Sequence, residues 1–457
     1  MGDKVIMITL TTQEKNLQTM FSRHSYQSHL QNKLMSKTAK VGVIGLGYVG
    51  LPTACHYVSQ GYNVTGFDVS NKKVNDLNQG ISYIDDVESS YLSSIITENK
   101  FKATTDMKQL EEMDVVLICV PTPIKETKEP DITYVKDVGD ILSKYVKEGT
   151  LVILESTTYP GTTETYIGSP LMERGFVIGE TIFIAYSPER IDPGNKEFNL
   201  SNTPKVVGGM TEVCTDLACL FIGHTAHRVE GIRVAELSKV FENTFRWINM
   251  ALVNELTILC KELNIDIWET IDAASSKPYG FMKFTPGIGV GGHCIPVDPY
   301  YLTYKAKEQG HRTKMIELAG EINDGMVQYT YVRMLELLTE QEKLMPHSNI
   351  VILGAAYKTD IGDLRESPVV RLIECLQNKV KTLTIIEPYA KEIRVNGLVQ
   401  TVAKYDEELL RKADLVVIGT PHSCFDWESI YSNSTLIFDS KNIMEEKGFV
   451  SEKIFKL

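Results

Sequence analysis

The chain has 457 residues, 43% of them hydrophobic and 23% charged, with a formal net charge of −12. That length exceeds one ordinary hydrophobic core, so two or three domains are expected, and the acidic balance excludes a broad electrostatic grip on nucleic acid while allowing a local basic pocket. The eight cysteines are scattered without a CxxC pair, and no stretch reaches the ~18 to 20 apolar residues of a membrane span, so a soluble cytoplasmic protein with small-molecule or protein partners is expected.

Residues 1–37 are polar apart from one short apolar run and lack a signal-peptide layout. They are expected to form a flexible extension outside the fold, or to precede a true start nearer Met35. From Lys40, VGVIG, a glycine-rich turn, a helical stretch to Gln60 and YNVTGFD form a βαβ unit. DVVLICVP, TLVILEST and TIFIAYSPER follow as further strands, so 38–230 is predicted to be a doubly wound Rossmann domain. From Gly231 the apolar residues fall at helical spacing with few breakers, predicting one helix of roughly 30 residues inside a helical domain, 231–335. Strand and helix alternation returns in NIVILGAAY, TLTIIEPY, DLVVIGTP and TLIFDS, making 336–457 a second Rossmann-like domain. IVILGAAYK echoes VGVIGLGYVG, and DLVVIGTPHS echoes DVVLICVPTP. The expected fold is α/β: two Rossmann-like doubly wound domains joined by a central helical domain with a long spine helix, and a crevice for chemistry.

Gly45, Gly47 and Gly50 form G-x-G-x-x-G between a strand and a helix. Gly45 allows the tight turn, Gly47 the approach of a pyrophosphate and Gly50 the packing of helix on strand, with Tyr48 and Val49 in the same cofactor turn. Such a motif alone is weak. Here Asp68 ends the second strand, where a carboxylate accepts from the adenosine ribose and repels a 2'-phosphate. The expected cofactor is therefore NAD rather than NADP.

PGIGVGGHCIPVDPYYL crowds glycines ahead of Cys294, which suits an exposed thiol near a ligand better than a buried structural cysteine. With VGVIGLGYVGLPTA, CVPTP, ESTTYPGTT, YSPERIDPG, AELSKVFEN and KTDIGDLRESP in order, the chain resembles the UDP-glucose/GDP-mannose dehydrogenase family from about Lys40 to the C-terminus. The resemblance implies NAD in the first domain, a UDP-sugar largely in the last, and a long helix that pairs two subunits, hence a homodimer or higher homo-oligomer. It also implies two successive hydride transfers without release of the aldehyde.

Carried over by position, Cys294 captures the aldehyde as a thiohemiacetal that is oxidised to a thioester. Asp298 and Thr122 order a water. Lys239 and Asn243, one helical turn apart, face the reacting oxygen and stabilise its negative charge. Glu189 helps activate water for hydrolysis. Pro193 stands where some relatives carry a second glutamate, so hydrolysis leans on Glu189 or Asp298. Glu155 is expected only to contact the cofactor. Glu189, Arg190, Lys239, Asn243, Gly291 and His293 are expected around the substrate. Lys358 and Arg365 are candidates for the uridine diphosphate, or alternatively for a domain-interface ion pair. His224 and His227 read as surface histidines, and no metal site is expected.

GGHCIPVDPYYL is similar to the branch acting on UDP-N-acetylhexosamines, whereas UDP-glucose enzymes tend to carry GGSCFxKD. Val297 replaces that lysine and His293 that serine. UDP-N-acetylglucosamine is the expected substrate, then the manno or galacto epimer, with UDP-glucose last. A two-electron hydroxyacid dehydrogenase and a non-catalytic dinucleotide-binding protein are the competing readings. The first needs no cysteine loop or second α/β domain, and the second needs none of Cys294, Lys239, Asn243 and Glu189.

Overall fold

The computed structural model describes residues 26–457 apart from 85, 126 and 192–196, so Pro193 lies outside the described residues. The chain divides into two compact units, one up to Val240 and the other Phe241–Leu457. The division falls within one continuous 31-residue helix, Ile232–Glu262, close to the predicted length.

The first unit is built on an eight-stranded sheet of β1 (Lys40–Ile44), β2 (Asn63–Phe67), β3 (Phe101–Thr104), β4 (Val115–Ile118), β5 (Leu151–Leu154), β6 (Phe183–Tyr186), β7 (Lys205–Gly209) and β8 (Ala226–Arg228). Its order is β3-β2-β1-β4-β5-β6-β7-β8, parallel except where β7 runs against β6. Every residue of β4 and β5 is buried, as a parallel sheet covered on both faces requires. The order reverses between β1 and β4, the switch point at which open α/β sheets take ligands.

The expected extension is corrected over residues 26–37. A helix covers 26–35, with Leu30 and Leu34 each 2% exposed in the same core as Val41 and Tyr62. Lys33 pairs with Asp114 at 2.9 Å, and the Tyr26 hydroxyl donates to Glu148. Two leucines four apart make a helical stripe too short to stand out among polar neighbours. Residues 1–25 lie outside the described residues.

The second unit contains the rest of the long helix and the helices Ile267–Ser275, Asp298–Glu308 and Lys314–Glu340. Its parallel sheet comprises β9 (Asn349–Leu353), β10 (Thr382–Ile386), β13 (Leu415–Ile418), β14 (Ile437–Asp439) and β15 (Ile454–Lys456), in the order β10-β9-β13-β14-β15. A separate hairpin is formed by β11 (Glu392–Val395) and β12 (Leu398–Thr401).

The two halves repeat one another down to single hydrogen bonds. Asp114, just before β4, accepts the N–H of Lys40 at 3.0 Å, and Asp414, just before β13, accepts that of Asn349 at 2.7 Å. Asp68 after β2 accepts from Leu46 N–H at 3.0 Å, and Glu387 after β10 accepts from Ala355 N–H at 2.7 Å. In each half one acid ties down the start of the first strand and another the turn that leaves it.

A candidate active site for sugar-nucleotide oxidation

Gly45 has φ +88°, and a side-chain carbon there would stand 2.7 Å from the Cys119 carbonyl oxygen. At Gly50 it would stand 1.8 Å from the Gly45 carbonyl, whereas at Gly47 it would meet nothing within 4 Å. The first and third glycines are therefore required by the protein's own backbone. The second leaves an open face at the mouth of the helix Gly50–Ser59, with Tyr48 and Val49 exposed beside it. Asp68 accepts from Leu46 and Ser70 N–H groups and from Lys73, at 3.0, 2.9 and 3.3 Å. Two carboxylate oxygens offer about four acceptor positions, so a ribose hydroxyl still has a place. This open cradle and strand-end acid fit NAD.

Thr122 is buried in the loop after β4. Glu155 is 1% exposed, with one oxygen on Lys205 at 2.8 Å and the other 3.7 Å from the Cys119 sulfur. Lys205 also reaches Glu189 at 3.2 Å. Glu189 accepts the N–H groups of Arg190 and Ile191 at 2.7 and 2.8 Å. Burial pushes the Glu189 carboxyl up, but Lys205 and these two donors outweigh it and hold it below the ordinary range, whereas burial dominates at Glu155 and raises it. Arg190 directs one guanidinium nitrogen to the Pro204 carbonyl at 2.7 Å. Sequence reasoning passed over Lys205; its signal was a lone charge opening the apolar run KVVGG.

The long helix presents three buried polar groups at successive turns. Glu236 accepts from the N–H groups of Gly161 and Thr163 and from the Thr163 hydroxyl, at 2.6, 2.9 and 2.7 Å, which fixes the PGTT turn. Lys239 is buried, 8% exposed. Asn243 donates to Asp298 at 2.5 Å, both side chains being buried.

Cys294 is exposed and lies just ahead of the helix Asp298–Glu308; its carbonyl accepts the Val297 and Asp298 N–H groups at 3.1 and 2.9 Å. The glycines before it serve the protein as well as any ligand. A side chain at Gly291 would strike Tyr357 and Pro368, and one at Gly292 the Tyr357 ring, 2.7 to 2.9 Å away. Gly292 N–H also donates to the Arg365 carbonyl at 3.1 Å, so the thiol loop lies against the segment 357–368. Burial, then Arg365, lowers the His293 pKa, which leaves the ring neutral at pH 7. Val297 is 3% exposed, packed into the protein.

Arg365 makes a forked pair with Asp363 at 2.6 to 3.0 Å, an ion pair within its own loop. Lys358 is partly exposed on the same loop. Sequence reasoning also missed Lys441. Its ammonium would stand 2.5 Å from a side chain at Gly287, and burial lowers its pKa against the weaker pull of Asp439.

Three sequence profiles of one family cover the chain: the NAD binding domain of the UDP-glucose/GDP-mannose dehydrogenase family matches 39–221, its central domain 233–325 and its UDP binding domain 351–446. The chain belongs to this family. It is an NAD-dependent nucleotide-sugar dehydrogenase. Protein CapL of Staphylococcus aureus is 33% identical over 91% of the enzyme and 99% of that protein. The UDP-N-acetyl-D-glucosamine 6-dehydrogenase of Pseudomonas aeruginosa is 34% identical over 85% and 89%. The solved structure of a UDP-D-ManNAc dehydrogenase from Pyrococcus horikoshii aligns with TM-score 0.81 at 31% identity, covering 91% of the enzyme and 98% of that chain. Among the described residues no helix is long and apolar enough to cross a membrane, and no group of three or more His, Cys, Asp or Glu could hold a metal ion.

Proposed function

We propose that the enzyme oxidises the C6 primary alcohol of a UDP-N-acetylhexosamine, foremost UDP-N-acetylglucosamine, to the uronic acid through a thioester on Cys294, supplying polysaccharide or cell-surface glycan synthesis. The observation that carries this reading is the exposed Cys294, whose carbonyl accepts the N–H of Asp298, the acid that in turn accepts from Asn243. A two-electron dehydrogenase has no use for such a thiol.

NAD, held by the Gly45–Gly50 turn and Asp68, supplies the acceptor for both hydrides. Asp298 and Thr122 order a water and move the alcohol proton, while Lys239 and the Asn243 amide offset negative charge on the reacting oxygen. Cys294 adds to the aldehyde and gives the carbon a hydride to lose, which leaves a thioester. Glu189 takes a proton from the water that hydrolyses it. Lys358, Arg365 and Lys441 bind the uridine diphosphate; Arg365 must share its guanidinium with Asp363, while Lys441 offers a desolvated ammonium. Gly291 and His293 shape the wall at the sugar, with a neutral ring and a buried Val297 in place of a cation.

Relatives at similar identity are named for the gluco and the manno substrate, so the epimer rests on the loop alone. The test incubates enzyme and NAD with UDP-N-acetylglucosamine, its manno and galacto epimers and UDP-glucose, reading NADH and product mass. Two NADH per N-acetylated sugar is expected, with UDP-glucose the poorest. Preference for UDP-glucose would refute the ranking, and no NADH with any sugar would refute the function.

A further inference from the structure

Three ionisable side chains meet in the interior of the first unit, and the function proposed above uses one of them. The Lys205 ammonium lies 2.8 Å from a Glu155 oxygen and 3.2 Å from a Glu189 oxygen, with the three side chains 5%, 0% and 11% exposed. The other Glu189 oxygen is occupied by two backbone N–H groups. Three described neighbours of the cluster, Cys119, Tyr57 and His56, add no charge at neutral pH. Burial raises the Cys119 thiol at the end of β4 and the Tyr57 hydroxyl, and burial with Lys205 pushes His56 down to about 4. The Lys205 ammonium thus pairs with two carboxylates.

That stoichiometry matters for a base. Protonating the sole partner of a buried ammonium strands the charge, which is strongly unfavourable. Glu155 keeps Lys205 paired whatever the protonation state of Glu189. We propose that Lys205 is a positioning residue for breakdown of the Cys294 thioester: anchored by Glu155, its ammonium holds the Glu189 carboxylate ionised and in one orientation to accept a proton from the attacking water. This rests on the reading that Glu189 is the base in that step. Water adds its oxygen to the thioester carbon, the C–S bond breaks with its electron pair left on the Cys294 sulfur, and the product leaves as a carboxylate. Of the two water protons, one passes through Glu189 to solvent and one restores the thiol.

The test follows acyl-Cys294 by intact mass after rapid quenching, across pH, with the best UDP-sugar of the panel above. Lys205→Met should slow thioester breakdown on the order of 10- to 100-fold, at or below the roughly 100- to 10,000-fold that a general base itself contributes. Acyl-enzyme should accumulate, and the acid limb of the breakdown rate should move to higher pH, because two buried carboxylates without a cation hold a proton more tightly. Lys205→Arg keeps the charge and should recover most of the rate. Glu155→Gln removes one negative charge beside the pair, so its acid limb should move to lower pH, an arm that stands if Lys205→Met does not fold. Unchanged breakdown profiles in whichever of Lys205→Met and Glu155→Gln fold, alongside a slow Glu189→Gln, would overturn this inference alone. Unchanged breakdown in Glu189→Gln would instead remove the role assigned to Glu189.

Discussion

Cys294 separates two oxidations that need different chemistry. An alcohol loses its hydride once a base, an acceptor and a donor to the oxygen are in place, whereas an aldehyde must first gain a nucleophile. Cys294→Ala should therefore produce no acid beyond trace, while wild type yields two NADH per sugar; product mass and NADH stoichiometry decide it. Near-normal acid formation by the variant would make the cysteine structural. Cys294 could be picked from sequence through its glycine loop, and Lys239, Asn243 and Asp298 through the motifs that carry the family resemblance. Lys205 and Lys441 could not. Each matters through a neighbour distant in sequence, Glu155 and Glu189 for the first and Gly287 for the second. The same limit hid the partner of Glu155, whose strand-end position gives no hint of Lys205.

At the scale of elements, the N-terminal helix and the long helix make opposite demands. Residues 26–35 close the first unit's core through Leu30 and Leu34. Leu34→Ala should cost roughly 2 to 5 kcal/mol, as large-to-small changes at closed core sites do, measurable by denaturant unfolding of the first transition. A loss under about 0.5 kcal/mol, the range of surface substitutions, would mean the helix is dispensable. The long helix instead leaves Leu237, Phe241, Phe245, Leu252, Leu256 and Leu259 exposed by 39% to 63%. They recur at three, four and seven residues, the pattern of a helix that packs on another. A second copy of the chain is the proposed occupant. Sedimentation should find wild type at twice the mass of the chain or more and Leu252→Glu displaced toward monomer; a monomeric wild type would refute the pairing.

For the whole molecule, the repeat of acid-to-backbone bonds in both Rossmann-like halves predicts a shared weakness to acid. At Asp114 burial raises the pKa, but the Lys40 N–H, Lys33 and Lys147 outweigh it and the net shift is down. At Glu387 burial is outweighed by His422 and by N–H groups including that of Ala355. A carboxyl held below its unfolded value, about 4, contributes stability that is complete above that value and lost as pH falls through the folded one. The thermal midpoint should hold between pH 7 and about 5 and fall below that. Asp114→Asn should lower the plateau and flatten the acid slope, by differential scanning fluorimetry. An unaltered slope would show that this acid does not report folding.

The sequence by itself determined the alternation of strands and helices, the repeat between the two ends, the glycine cradle and Asp68, the long helix, and the cysteine loop with its family. These are legible because periodicity, turn chemistry and cap positions are local properties of the chain. Only the tertiary structure decided that residues 26–35 belong to the core, and that β7 runs against β6. It alone showed that Glu155 pairs with Lys205, that Gly291 and Gly292 make room for Tyr357, and that Arg365 is already paired with Asp363. Each of these depends on which distant side chain fills the adjacent space. Burial then fixes the charge a group can carry there, and no spacing along the chain encodes that neighbour.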